Sequence, residues 1–155
     1  MNLTENTTLE VKRLISAPRE LVWKAWTEQI KEWLKFDEGM TIESVKVDLR
    51  VGGKFRIQSK MANGEFFTAA GTYLEVKPPE RVVYTWDWEK DGSSTEFGEL
   101  EGNESQVTVE FRKSGEGTEL VLIHERLPSV ESRDRHKEGW QMWLERVAKF
   151  LEEKS

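Results

Sequence analysis

Apolar and polar residues alternate with a period of two near the start of the chain. Leu9, Val11, Arg13 and Ile15 fall on one side and Glu10, Lys12 and Leu14 on the other, which predicts a first strand. Ser16 then offers an N-cap. Pro18 and Glu20 suit a first helical turn, because a proline there gives up an amide hydrogen that has no acceptor and a carboxylate meets the positive end of the helix dipole. The pattern predicts one short helix from about Pro18 to Trp26 and a second over 28–35, where Ile30, Trp33 and Leu34 share a face. From Thr41 the period returns to two, with Ile42, Val45, Val47, Leu49 and Val51 opposed to Ser44, Lys46, Asp48 and Arg50. Gly52-Gly53 turns the chain into a strand through Phe55, Ile57 and Ser59, and Asn63-Gly64 is a hairpin signal leading into a long strand over 65–76. After Pro78-Pro79, the residues Val82, Tyr84, Trp86 and Trp88 point one way.

The stretch 89–104 carries six carboxylates against the single Lys90 and reads as a solvated, mobile loop. Val107, Val109 and Phe111 alternate next, and Leu120, Leu122 and His124 do so after the turn at Ser114–Gly117. From about Glu131 to Glu153 the period changes to 3.6, with His136, Trp140, Trp143, Leu144, Val147, Phe150 and Leu151 along one stripe. A sheet with one apolar face must cover it, and the last helix is the element long enough to do so. The expected architecture is α+β: a curved antiparallel sheet of about seven strands gripping a long C-terminal helix, with two short helices after the first strand. The 155 residues are expected to form a single domain with its core over about 9–151.

A net charge of −6 disfavours a nucleic-acid partner, whose phosphates select for excess Lys and Arg. The absence of cysteine excludes disulfides and thiolate chemistry and favours a reducing, cytoplasmic setting. Residues 1–10 have neither a basic start nor an apolar run, so no export leader is expected, and no stretch approaches the length of a membrane span. Gly52-Gly53-Lys54 lacks the rest of a phosphate loop, and no zinc-binding histidine–glutamate motif occurs, so neither a metal nor a cofactor is expected.

Several short stretches carry a resemblance. They are Ser16-Ala17-Pro18 with Val22-Trp23-Lys24-Ala25-Trp26-Thr27; Trp33; Asp48-Leu49-Arg50-Val51-Gly52-Gly53; Gly71-Thr72-Tyr73; Pro79-Glu80-Arg81-Val82-Val83; Thr118-Glu119-Leu120; and Gly139-Trp140. In this order and spacing, the sequence resembles the START-like, polyketide-cyclase (SRPBCC) superfamily, in the branch named for the activator of the 90-kDa heat-shock protein's ATPase. The resemblance implies a helix-grip fold with a cavity between the sheet and the long helix, in which members bind lipids, sterols, polyketides or plant metabolites and a few catalyse cyclisation.

Seven Trp and seven Phe supply aromatic surface for such a cavity, although most large apolar side chains serve as core. Trp86, Trp140 and Trp143 are expected to line it, with Tyr84 and Leu144 beside them and Trp33 and Phe36 at its mouth. His124 ends an inward strand row and His136 begins the long helix, so the two are expected to approach each other. Gly139 adjoins the apolar stripe, where a close approach of helix and sheet would demand glycine. The leading expectation is binding of a small apolar molecule. The alternatives are a cyclase- or hydrolase-type enzyme with His124, His136, Tyr84 or Asp87 as proton carriers, and a stress-related co-chaperone that engages a protein partner.

Overall fold

The computed structural model describes residues 6–34 and 39–153. Seven antiparallel strands form one curled sheet in the order β1-β7-β6-β5-β4-β3-β2. They are β1 (Leu9–Ile15), β2 (Thr41–Val47), β3 (Lys54–Lys60), β4 (Phe66–Lys77), β5 (Arg81–Trp88), β6 (Ser105–Ser114) and β7 (Gly117–Glu125). Between β1 and β2 lie two short helices, α1 (Arg19–Glu28) and α2 (Ile30–Trp33), and the chain closes with α3 (Val130–Glu152). Ser129 caps α3, its hydroxyl accepting from the Ser132 amide at 3.0 Å.

The period-two rows become the concave face. Val82, Tyr84 and Trp86 of β5, Val107, Val109 and Phe111 of β6, and Leu120, Leu122 and His124 of β7 are all buried there. Leu144, Val147, Ala148 and Leu151 of α3 close over them. Arg13 shares the phase of Leu9, Val11 and Ile15, and meets two carboxylates of α3, Glu145 at 2.8 Å and Glu152 at 3.8 Å. These half-exposed pairs, with the Ser16 amide donating to Glu152 at 3.1 Å, fasten the sheet's β1 edge to the end of the helix. Each such pair is worth at most about 1 kcal/mol.

Three expectations are corrected. Ser16 does not cap α1: the N-cap is Pro18, and the Ser16 amide is committed to Glu152. β2 stops at Val47; Leu49 beyond it still packs against the core, whereas Val51 is 65% exposed and does not extend the inward row. The chain turns here because Gly53 lies so close to the preceding backbone that a Cβ would fall 2.1 Å from the Asp48 carbonyl oxygen, an approach only glycine allows.

The third correction concerns 89–104, which is a strap fixed to the convex face. Arg56, Gln58, Thr68 and Asp87 alternate with the inward Phe55, Ile57, Ala69 and Trp86, and so face outward. The strap covers them. Arg56 forms a bidentate pair with Glu89 at 2.7 and 2.9 Å, both side chains 1% exposed, and also donates to the Ser94 carbonyl. Gln58 donates to the Gly92 and Ser94 carbonyls, Thr68 donates to Gly92, and Asp87 accepts from the Gly102 and Asn103 amides. A loop that read as solvated charge is held by its backbone to polar side chains that would otherwise face water.

Candidate functional site

Where α3 begins, it stands off the sheet and leaves a cavity of about 710 Å³. Ile57, Ala69, Trp86, Trp88 and Ser105 form the sheet wall, and Ser132, His136, Gly139, Trp140 and Trp143 form the helix wall. Ser132, His136 and Trp140 recur every four residues and therefore stack along one face of α3. Leu34, Met40, Leu127 and Pro128 also line it, together with the exposed Lys90, Asp91, Glu101, Asn103 and Arg135.

The inner wall is largely indole. Trp86 and Trp140 have ring centroids 4.8 Å apart, Trp140 and Trp143 4.7 Å, and the chain of rings continues from Trp143 through Trp26 to Trp33 at 5.7 Å per step. Tilted and edge-on contacts, with one stacked pair between Trp26 and Trp33, suit the aromatic quadrupole. They also fix a rigid apolar surface.

His136 in the wall meets His124 behind it, with ring centroids 5.1 Å apart. Their proton positions follow from their partners. The Trp140 indole N–H donates to His124 Nδ1 at 2.9 Å, so Nδ1 carries no proton and Nε2 does. Nε2–H then donates to Ser105 Oγ at 2.6 Å, and the serine hydroxyl donates to the Trp86 carbonyl at 3.0 Å. His136 takes the opposite tautomer: Nε2 accepts from Trp88 Nε1 at 3.2 Å, and Nδ1–H donates to the Ser132 carbonyl at 2.7 Å. Burial pushes His124 down to about 3, with its neighbour His136 adding to the effect. Burial also lowers His136, partly opposed by its bond to Ser132 and assisted by Arg135.

The serine–histidine contact resembles a nucleophile–base pair in distance alone. A general base must offer Ser105 a bare Nε2, but that tautomer would aim His124 Nδ1–H at the Trp140 N–H, donor against donor. The Tyr84 phenol is raised far above its ordinary range by burial, and Asp87 is committed to the strap on the convex face. Among the described residues, no group of three His, Asp or Glu side chains gathers as a metal site requires.

Neutral His124 has a consequence for acid stability. A histidine whose folded pKa lies below its unfolded 6.5 takes up a proton on unfolding, so its contribution is complete above pH 6.5 and is lost as the pH falls toward about 3. The expected slope is about 1.4 kcal/mol per pH unit within that window. Urea titrations at pH 6.5 and 5.5 should show a smaller acid loss in His124→Gln than in the wild type; equal losses would contradict the assignment.

Of the side chains singled out from sequence, Trp86, His136, Trp140 and Trp143 line the cavity. Tyr84, His124 and Leu144 lie fully buried behind its wall, and Trp33, which donates its N–H to the Ala25 carbonyl, supports the aromatic stack. Phe36 lies outside the described residues. Gly139 is corrected: a Cβ there meets nothing within 4 Å, so it faces open space rather than the sheet.

Residues 16–152 match the family described as activator of Hsp90 ATPase homolog 1-like protein. The chain belongs to this family. Its fold is shared with solved relatives: a Chromobacterium violaceum protein, 26% identical over 94% of this chain and 97% of the other, superposes with a TM-score of 0.78. An AHSA1 protein from Silicibacter pomeroyi is 25% identical over 96% and 99% of the two chains, with a TM-score of 0.79. An AHSA1-like protein from Aeromonas hydrophila, at 22% identity over 95% and 93%, matches in fold with a TM-score of 0.74. No curated protein matches the sequence. Folds of this family generally bind ligands or act as co-chaperone activators.

In this AHSA1-like chain, sequence reading missed Ser105, Trp88 and Ser132 as parts of the cavity wall. A signal for Ser105 existed: it pairs with Trp86 across the β5–β6 ladder, at the end of an inward row. Among the described residues, no helix is long and apolar enough to cross a membrane.

Proposed function

We propose that this protein binds a small, largely apolar molecule in the cavity between the sheet and the first turns of α3. The observation that carries this reading is an opening of about 710 Å³ backed by three converging indoles, a volume suited to a drug-sized ligand. The locked tautomers of both histidines favour binding over proton-transfer chemistry. Of the acids in the strap, Glu89 is spent on Arg56, which favours an architectural role for that segment over partner recognition. The cysteine-free sequence supports a cytoplasmic setting.

Gly139 provides the test. Replacing it with tryptophan places a ring in open space at the cavity and removes a mid-helix glycine that costs about 1 kcal/mol relative to ordinary residues. Gly139→Trp is expected to melt no lower than the wild type and to lose the thermal stabilisation that apolar compounds give. In the wild type, a ligand at 100 times its Kd should add about 2.7 kcal/mol. Equal stabilisation of both proteins would count against this site, as would no response from the wild type to a broad panel of apolar compounds.

A further inference from the structure

We infer that the ligand carries an uncharged hydrogen-bond acceptor, of carbonyl type, at its buried end, and that Trp86 Nε1 is the donor that receives it. This deepens the cavity-binding reading and rests on it. Around the cavity, Trp33 donates its indole N–H to the Ala25 carbonyl, Trp88 to His136 and Trp140 to His124. Trp86 differs in that its indole nitrogen is both fully covered and unpaired. Its side chain is 5% exposed, and its N–H has no acceptor among the described residues. A buried donor without an acceptor is rare in folded proteins and calls for a partner, a bound ligand or a water.

The position of Trp86 indicates where that partner enters. Together with Ile57 and Trp143 it separates the 710 Å³ cavity from an inner void of about 20 Å³, which Phe55, Tyr73 and Tyr84 also enclose. The indole nitrogen is fully covered, so an incoming oxygen reaches it only once a neighbouring side chain shifts.

The chemistry narrows the ligand further. An indole N–H donates and never accepts, so neither a hydrocarbon nor an ammonium group completes it. The nearby histidines are neutral and their protons point to Ser105 and Ser132, so among the described residues these rings supply no cation to balance a carboxylate. Burying an unpaired charge there is far costlier than burying a neutral oxygen. A ketone, aldehyde, ester or amide carbonyl satisfies both conditions.

Benzophenone and diphenylmethane share two rings and differ in one carbonyl, and so serve as probes. In the wild type, the ratio of their dissociation constants should favour the ketone by about 3–10-fold more than in Trp86→Phe, which keeps an aromatic ring and removes the N–H. As a readout independent of the variant's folding, the wild-type Trp86 indole N–H resonance should move on adding benzophenone and much less on adding diphenylmethane. An unchanged ratio, or identical resonance shifts with both probes, would overturn the inference and assign the donor to a water in the inner void. Binding of both probes with no carbonyl preference leaves the cavity reading standing, whereas failure of these and of a broad panel of apolar ketones and hydrocarbons to bind the wild type overturns the two together.

Discussion

Replacing Arg56 with alanine is expected to lower folding stability by about 3–5 kcal/mol, measured as a fall in the urea midpoint with little change in slope. The change strands the Glu89 carboxylate in a site where both side chains are 1% exposed and where, among the described residues, Arg56 supplies the counter-charge. It also removes one of the two donors to the Ser94 carbonyl, leaving Gln58, and loosens the strap that shields the convex side of β3 and β4. Removing both charges with Arg56→Met and Glu89→Leu together should recover much of the loss, because desolvation opposes the pair's own attraction. The half-exposed Arg112–Glu110 pair is the control, and Arg112→Ala should cost no more than about 1 kcal/mol. An Arg56→Ala variant with wild-type stability would show that the strap contributes nothing to the fold.

Trp140→Ala is expected to have an effect of similar size for a different reason. Trp140 is 3% exposed and contacts Trp26, Trp86 and Trp143, so its removal opens a void at the centre of the aromatic stack, at a cost of about 3–5 kcal/mol. His124 Nδ1 also loses its proton donor. Ligand affinity should fall with stability, so the two must be measured side by side. Trp140→Phe retains most of the ring area and should cost less, the remainder reporting the lost indole hydrogen bond. A loss below about 1 kcal/mol for the alanine variant would mean that the stack is not a packed unit.

The concave face was legible in the sequence because each inward row obeys a local rule. Tyr84, Trp86 and Trp88 alternate, and Trp140, Leu144, Val147 and Leu151 recur at helical spacing, whatever lies opposite them. The approach of His124 and His136 was legible too, since one ends β7 and the other starts α3 across a short connection. The strap was not. Arg56, Gln58 and Thr68 look like the solvent side of amphipathic strands, and the carbonyls they hold come from residues 24 to 38 positions away. Gly139 was misread because periodicity gives the side of a helix but not the distance to what it faces. The separation of helix from sheet depends on how the later turns of α3 seat against β1 and α1, which is a property of the whole fold.

The same geometry separates cavity wall from core. Trp86 and Tyr84 lie on one strand row and are equally buried, yet the larger cavity meets only Trp86. Nothing in the alternation distinguishes them. The difference arises where α3 lifts away, opposite the end of β5 that carries Trp86 and Trp88.

The central claim, that this space holds an apolar ligand, is tested most directly by observing the seven tryptophan indole N–H resonances during titration with benzophenone. Trp23 is the internal reference, since it packs against Phe111 and takes no part in the cavity wall. Saturable shifts of Trp86, Trp140 and Trp143 with Trp23 unmoved are the predicted result. Shifts confined to Trp23, or no saturable shift at the three cavity indoles with any compound of an apolar panel, would contradict it.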